Sequence, residues 1–130
     1  MNSAALHSAL EFKRILALIS LTEGSRETLT LALALAERYG GEVVLLHVVD
    51  PNVDVPVQEL GISRAHVLSM LHRESANELN QLIQIANPQV STKVLVREGN
   101  PAEVVAQTVK ALATDIIVTC PHSAWQLCQT

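Results

Sequence analysis

Along the chain, unbroken apolar runs alternate with segments whose apolar positions recur every three or four residues. The first run, Glu11–Ser20, carries Ile15-Leu16-Ala17-Leu18-Ile19 without interruption. It is too short to span a membrane and too continuous for a strand with one wet face. It therefore predicts a β-strand covered on both faces of a parallel sheet. Leu21-Thr22-Glu23-Gly24-Ser25 follows as a turn, in which Thr22 or Ser25 can cap a helix by accepting a backbone N–H. Leu29, Ala32, Leu33 and Ala36 then share one helical face, and Leu31 and Leu35 widen it, as in a helix wedged between the sheet and a neighbour. Gly40-Gly41 supplies the stop, because glycine readily takes the left-handed conformation that closes a helix.

Glu42–Val49 is a second unbroken run, ended by Asp50-Pro51, since proline cannot donate to a sheet ladder. Residues 52–62, with Pro56 and Gly61, read as a loop. Ser63 is the next cap, and Val67, Leu68, Leu71, Leu79, Leu82, Ile83 and Ala86 recur at helical spacing up to Asn87-Pro88. Ser75 falls on the same stripe and permits close packing. From Val90 to Arg97 the pattern alternates: Val90, Thr92, Val94 and Val96 face one way, Lys93, Leu95 and Arg97 the other. Alternation with charges predicts an edge strand. Asn100-Pro101-Ala102-Glu103 is a helix start, with a capping amide, proline at the first helical position and Glu103 three residues after the cap. Val104, Val105, Thr108, Val109 and Leu112 make its buried face, and Asp115–Cys120 is a last buried strand broken by Pro121.

The order β-α-β-α-β-α-β predicts an open, parallel α/β sheet with helices on both faces. At 130 residues, 48% hydrophobic and 17% charged, the chain fits one folded domain over 12–130 preceded by a loose arm, 1–11, in which Ala4, Ala5 and Leu6 form at most a helical turn. The net charge of −4 and scattered Lys and Arg argue against nucleic acid or an acidic membrane surface as partner. An aromatic fraction of 2% removes the stacking platforms of single-strand binders. The N-terminus lacks the basic start and apolar stretch of a signal peptide, and Cys120 and Cys128 do not make a disulfide framework. The expected location is the cytoplasm.

Three stretches, taken together, resemble the universal stress protein family over nearly the whole span from Phe12 to His122. They are Ile15–Ser20 with Thr22-Glu23-Gly24-Ser25, running into Ala32–Ala36; Leu45-Leu46-His47-Val48-Val49-Asp50-Pro51; and Val96–Glu103 joined to Asp115–Val118 and His122. The resemblance implies an adenine nucleotide alpha hydrolase-like sheet of order 3-2-1-4-5, a homodimer and, in one branch, an adenine nucleotide between strands one and four. Here the fifth strand is expected to be missing, leaving order 3-2-1-4 and an apolar edge at Ile116-Ile117-Val118, covered by Ala124–Thr130 or by a second copy.

The nucleotide-binding branch usually ends strand one with an aspartate, where this chain has Ser20. It follows strand four with spaced glycines that admit phosphates to the backbone. This chain has Cys120-Pro121-His122-Ser123 there, and its five glycines all precede strand four. The expectation is a degenerate site and no cofactor, with ATP or AMP as the alternative, held by backbone contacts near Leu18, Ile19, Ser20, Val48 and Thr119 beside Cys120. Hydroxyls of Thr22 or Ser123 would then meet the phosphates.

Other candidate groups give less. Cys120, His122 and Cys128 lack the fourth ligand of a structural zinc site, and Ser123 beside His122 has no nucleophile elbow. His47, inside a strand, reads as a packed histidine making one hydrogen bond; His66 and His72 read as solvated. Asp115 reads as a turn or cap, and Trp125 as an anchor for the tail. The expected role is a non-catalytic stress-response module acting as a homodimer or through a protein partner.

Overall fold

The computed structural model describes residues 13–22, 24–51 and 61–120. The elements are β1 (Arg14–Leu18), α1 (Ser25–Tyr39), β2 (Glu42–Val49), α2 (Arg64–Ala86), β3 (Thr92–Glu98), α3 (Pro101–Leu112) and β4 (Ile116–Val118). They form a parallel sheet of order β3-β2-β1-β4. The expected arm at 1–11, the loop from 52 to 60, and the tail with His122, Ser123, Trp125 and Cys128 lie outside the described residues.

The unbroken apolar strands serve two cores. Ile15, Ala17 and Ile19 face one side of the sheet and pack with Val43 and Leu45 under Leu29, Ala32, Leu33 and Ala36 of α1 and Leu79 of α2. Leu16, Leu18, Val44 and Leu46 face the other side and meet Val104 and Val105 of α3. Successive strand residues point to opposite faces, so a strand buried on both needs apolar residues at every position. Burying each large side chain contributes about 1.5–3 kcal/mol, and Ile15, Leu16, Leu45, Leu46 and Leu79 are all fully enclosed.

Several boundaries and faces depart from the sequence pattern. Strand β1 ends at Leu18, although Ile19 N–H still donates to the Leu46 carbonyl at 2.8 Å. Strand β4 is confined to Ile116–Val118 and is half-open rather than buried, because among the described residues it pairs only with β1. Ile117 is 40% exposed. Leu31 is exposed too, because it lies one residue, or about 100° of helix, from the row of Ala32 that meets the core. Ala86 is exposed at the very end of α2, where Asn87 turns the chain.

The caps at Ser63 and Asn100 form as expected, accepting from the N–H of His66 at 3.1 Å and of Glu103 at 3.2 Å. Helix α1 differs: its N-cap is Gly24, with φ 94° and no side chain to offer. Thr22 is withdrawn from capping because its hydroxyl lies 2.7 Å from that of Ser20, and Ser25 already occupies the first helical position.

At the amino ends of the strands, Arg14 ties four elements together. Its Nε donates to Glu42 Oε1 at 2.8 Å, and its Nη1 donates to the carbonyl of Leu112 at the end of α3. Its backbone N–H donates to Asp115 Oδ2 at 2.9 Å, and its carbonyl accepts from Asp115 N–H at the same distance. A cation at the C-terminus of α3 also meets the negative end of that helix. This junction ties the amino ends of β1 and β4 to β2 and to the end of α3.

Candidate functional site at the carboxyl ends of the strands

In a parallel sheet of this type, ligands bind outside the carboxyl ends of the strands, where neighbouring connections leave in opposite directions. Here that point lies between β1 and β4, since β1 runs on into α1 over one face and β4 is reached from α3 on the other. After β1 the chain passes through Ile19, Ser20, Leu21 and Thr22 into Gly24. Leu21 sits at φ 63°, a conformation that costs a residue with a side chain about 1–2 kcal/mol. Its side chain packs against the core under α1 and α2, which offsets that cost.

The backbone of Ile19 is fully engaged on one side. Its N–H bonds to Leu46, and its carbonyl lies 2.8 Å from Nδ1 of His47. A carbonyl can only accept, so Nδ1 carries the proton and donates. His47 is thus a half-buried histidine holding the end of β1 to β2, as its place within a strand predicts.

Ser20 is half-buried, and its hydroxyl is paired with that of Thr22. Leu18 is buried on the α3 face, and Val48 is half-buried on the same face beyond the end of β1. Thr119 and Cys120 follow β4, with the Thr119 hydroxyl donating to the Cys120 carbonyl at 3.3 Å. Cys120 comes close to the start of α1: a Cβ placed on Gly24 would stand 3.2 Å from Cys120 Cβ and 3.5 Å from Sγ. Ser20, Thr22, Gly24, Thr119 and Cys120 therefore gather where β1 and β4 end, while Ser123 lies outside the described residues.

Sequence reasoning did not anticipate the contact between Gly24 and Cys120, because nothing local links positions so far apart. It also misplaced His72. That residue is half-buried, with Nε2 enclosed and 4.0 Å from Glu98 Oε1 at the end of β3. The signal was available: Leu68, His72, Ser75 and Leu79 lie on one helical stripe, so His72 flanks the buried row.

Chemically the site offers hydroxyls, a thiol and backbone groups. Among the described residues no group of three or more His, Cys, Asp or Glu side chains could hold a metal ion. A model of the universal stress protein family matches residues 11–124. The chain belongs to the universal stress protein family.

Solved structures agree on the fold. The chain is similar to universal stress protein UspA from Lactobacillus plantarum, with 19% identity, coverage of 84% of this chain and 77% of that one, and a TM-score of 0.70. A universal stress protein family member from Burkholderia pseudomallei gives 20% identity, 91% and 89% coverage and a TM-score of 0.72. A universal stress protein solved in complex with cAMP gives 12% identity, 82% and 71% coverage and a TM-score of 0.52. No significant match is found among curated protein sequences. In this universal stress protein the strand order β3-β2-β1-β4 is that of the family sheet as far as β4. No helix among the described residues is long and apolar enough to cross a membrane.

Proposed function

We infer that this universal stress protein serves in stress response as a non-catalytic module with a degenerate nucleotide site, acting as a homodimer or through a protein partner in the cytoplasm. The observation that carries this reading is the approach of Cys120 to Gly24. Where the nucleotide-binding pattern has a glycine after strand four, this chain has a side chain, and it packs against the first turn of α1. A phosphate needs bare backbone at that point. Ser20 in place of an aspartate and the absence of any glycine after Gly99 weaken the site in the same direction. The half-exposed edge at Ile117 supports self-association, because an apolar edge strand with no second partner among the described residues favours pairing with another chain.

A second reading is a signalling switch that binds ATP or AMP. It is favoured by the similarity to a universal stress protein solved in complex with cAMP. Binding would then use backbone groups at Leu18, Ile19, Ser20, Val48 and Thr119, with Thr22 or Ser123 at the phosphates. Against it, the Ile19 carbonyl is already engaged by His47. Calorimetric titration with ATP and with AMP separates the two. The first reading expects no saturable heat at micromolar nucleotide; micromolar binding would overturn it.

A further inference from the structure

Strand β3 stands at the margin of the sheet opposite β4, and among the described residues no strand pairs with its outer edge. Its ladder to β2 has a fixed phase. Val43 N–H donates to the Ser91 carbonyl at 2.9 Å, and Gly99 N–H donates to the Val49 carbonyl at 3.1 Å. In a parallel ladder, alternate residues turn their backbone groups to the same side. In that phase Lys93, Leu95 and Arg97 bond to β2, and Val94 and Val96 direct N–H and C=O outward at the open edge.

Side chains alternate too. Val94 and Val96 pack on the face covered by α1 and α2, whereas Lys93, Leu95 and Arg97 pair with Val44, Leu46 and Val48 and share the α3 face. Beside the edge on that face, a groove of about 270 Å³ opens between β3 and α3, lined by Leu95, Val104, Thr108, Ala111 and Leu112, with Arg97 on its strand side. Arg97 is exposed and has neither an ion pair nor a hydrogen bond among the described residues. Lys93 is exposed and 3.9 Å from Glu42, a carboxylate that Arg14 already holds at 2.8 Å. Glu98 also borders the groove, but its Oε1 lies 4.0 Å from His72 Nε2 of α2, on the other face.

Basic residues on an edge strand oppose pairing between two copies. Antiparallel pairing of two β3 strands in full register would set Lys93 of one copy against Arg97 of the other at both ends, and like charges directly opposite destabilise a sheet. The same two cations attract a strand that carries carboxylates at those positions. We propose that β3 accepts an extended segment of a partner protein as a further strand, with the pattern acidic-x-apolar-x-acidic. Its backbone bonds to Val94 and Val96, its carboxylates meet Lys93 and Arg97, and its apolar side chain enters the groove beside Leu95 and Ala111. Strand addition of this kind draws affinity from the backbone and specificity from alternate side chains. It gives the protein-partner part of the reading above its contact surface and rests on that part alone, not on nucleotide affinity.

The test uses the whole chain and an end-capped probe, Ser-Glu-Thr-Leu-Thr-Glu-Ser. Three control peptides carry lysine for both glutamates, serine for the leucine, or N-methyl groups on the three central residues. Calorimetry gives affinity, and hydrogen exchange at the amides of Val94 and Val96 reports location. The probe is expected to bind saturably and to outbind all three controls. It should slow exchange at Val94 and Val96 and leave Leu95, already bonded to β2, unchanged. Arg97→Glu is expected to weaken the probe about tenfold, one attraction lost and one repulsion gained, and to strengthen the lysine control. Ala111→Gln should weaken the probe by filling the groove and leave the serine control unchanged. Both positions are exposed, so folding tolerates either change. No saturable binding of the probe, equal affinity for the lysine control, or exchange at Val94 and Val96 already slow in the free protein would each overturn the proposal. Micromolar nucleotide binding would overturn the degenerate site and leave this surface standing.

Discussion

His47 Nδ1 stands 2.8 Å from the carbonyl oxygen of Ile19 and so joins the carboxyl ends of β1 and β2 through a side chain rather than the ladder. The bond keeps a proton on Nδ1 and engages one lone pair of that carbonyl. Replacing His47 with Leu keeps the bulk but orphans that carbonyl. The expected loss is about 1–2 kcal/mol of folding stability, read from urea denaturation midpoints at constant slope.

Gly24 is constrained twice, by φ 94° and by the nearness of Cys120. Gly24→Ala is expected to cost about 1–3 kcal/mol. In a Cys120→Gly background the contact disappears while the backbone strain remains, so the same change should cost less there. Purely additive losses in that double-mutant cycle would show that the contact carries no energy.

Arg14 gathers Glu42, the end of α3 and the start of β4. Arg14→Met retains much of the apolar stem and removes the charge, with an expected loss of about 1–3 kcal/mol at a half-exposed site. Arg14→Lys should restore less than half of that, because one ammonium cannot reproduce a planar fork that reaches both Glu42 and the Leu112 carbonyl. Thermal denaturation of the three proteins orders them directly.

Ile117 stands half-open on β4, which pairs with β1 alone among the described strands. Ile117→Lys places a charge on that edge, the usual natural protection against strand-to-strand association. Light scattering across a concentration series should show a dimer for the parent and a monomer for the variant. An unchanged dimer would place the interface elsewhere.

Leu79 is fully enclosed between α2 and the sheet. Leu79→Ala should cost about 2–5 kcal/mol, the range for emptying a well-packed core position. The neighbouring Ile85→Ser should change stability by less than about 0.5 kcal/mol, because Ile85 already faces solvent.

The sequence by itself determined the elements and their order. Unbroken apolar runs at Ile15–Ile19 and Val43–Val49 report burial on both faces apart from His47, and the caps at Ser63 and Asn100 depend only on residues within one turn. The run Cys120-Pro121-His122-Ser123 and the lack of glycine after Gly99 are likewise read from the sequence alone. Tertiary structure decided what depends on the angle and spacing of separate elements. Gly24 meets Cys120, Ser25 rather than Thr22 opens α1 and keeps a buried hydroxyl with no partner among the described residues, and His72 turns inward to Glu98. Leu31, apolar in sequence, is left outside, because a helix rests on the sheet along one narrow row and periodicity alone does not fix where that row ends.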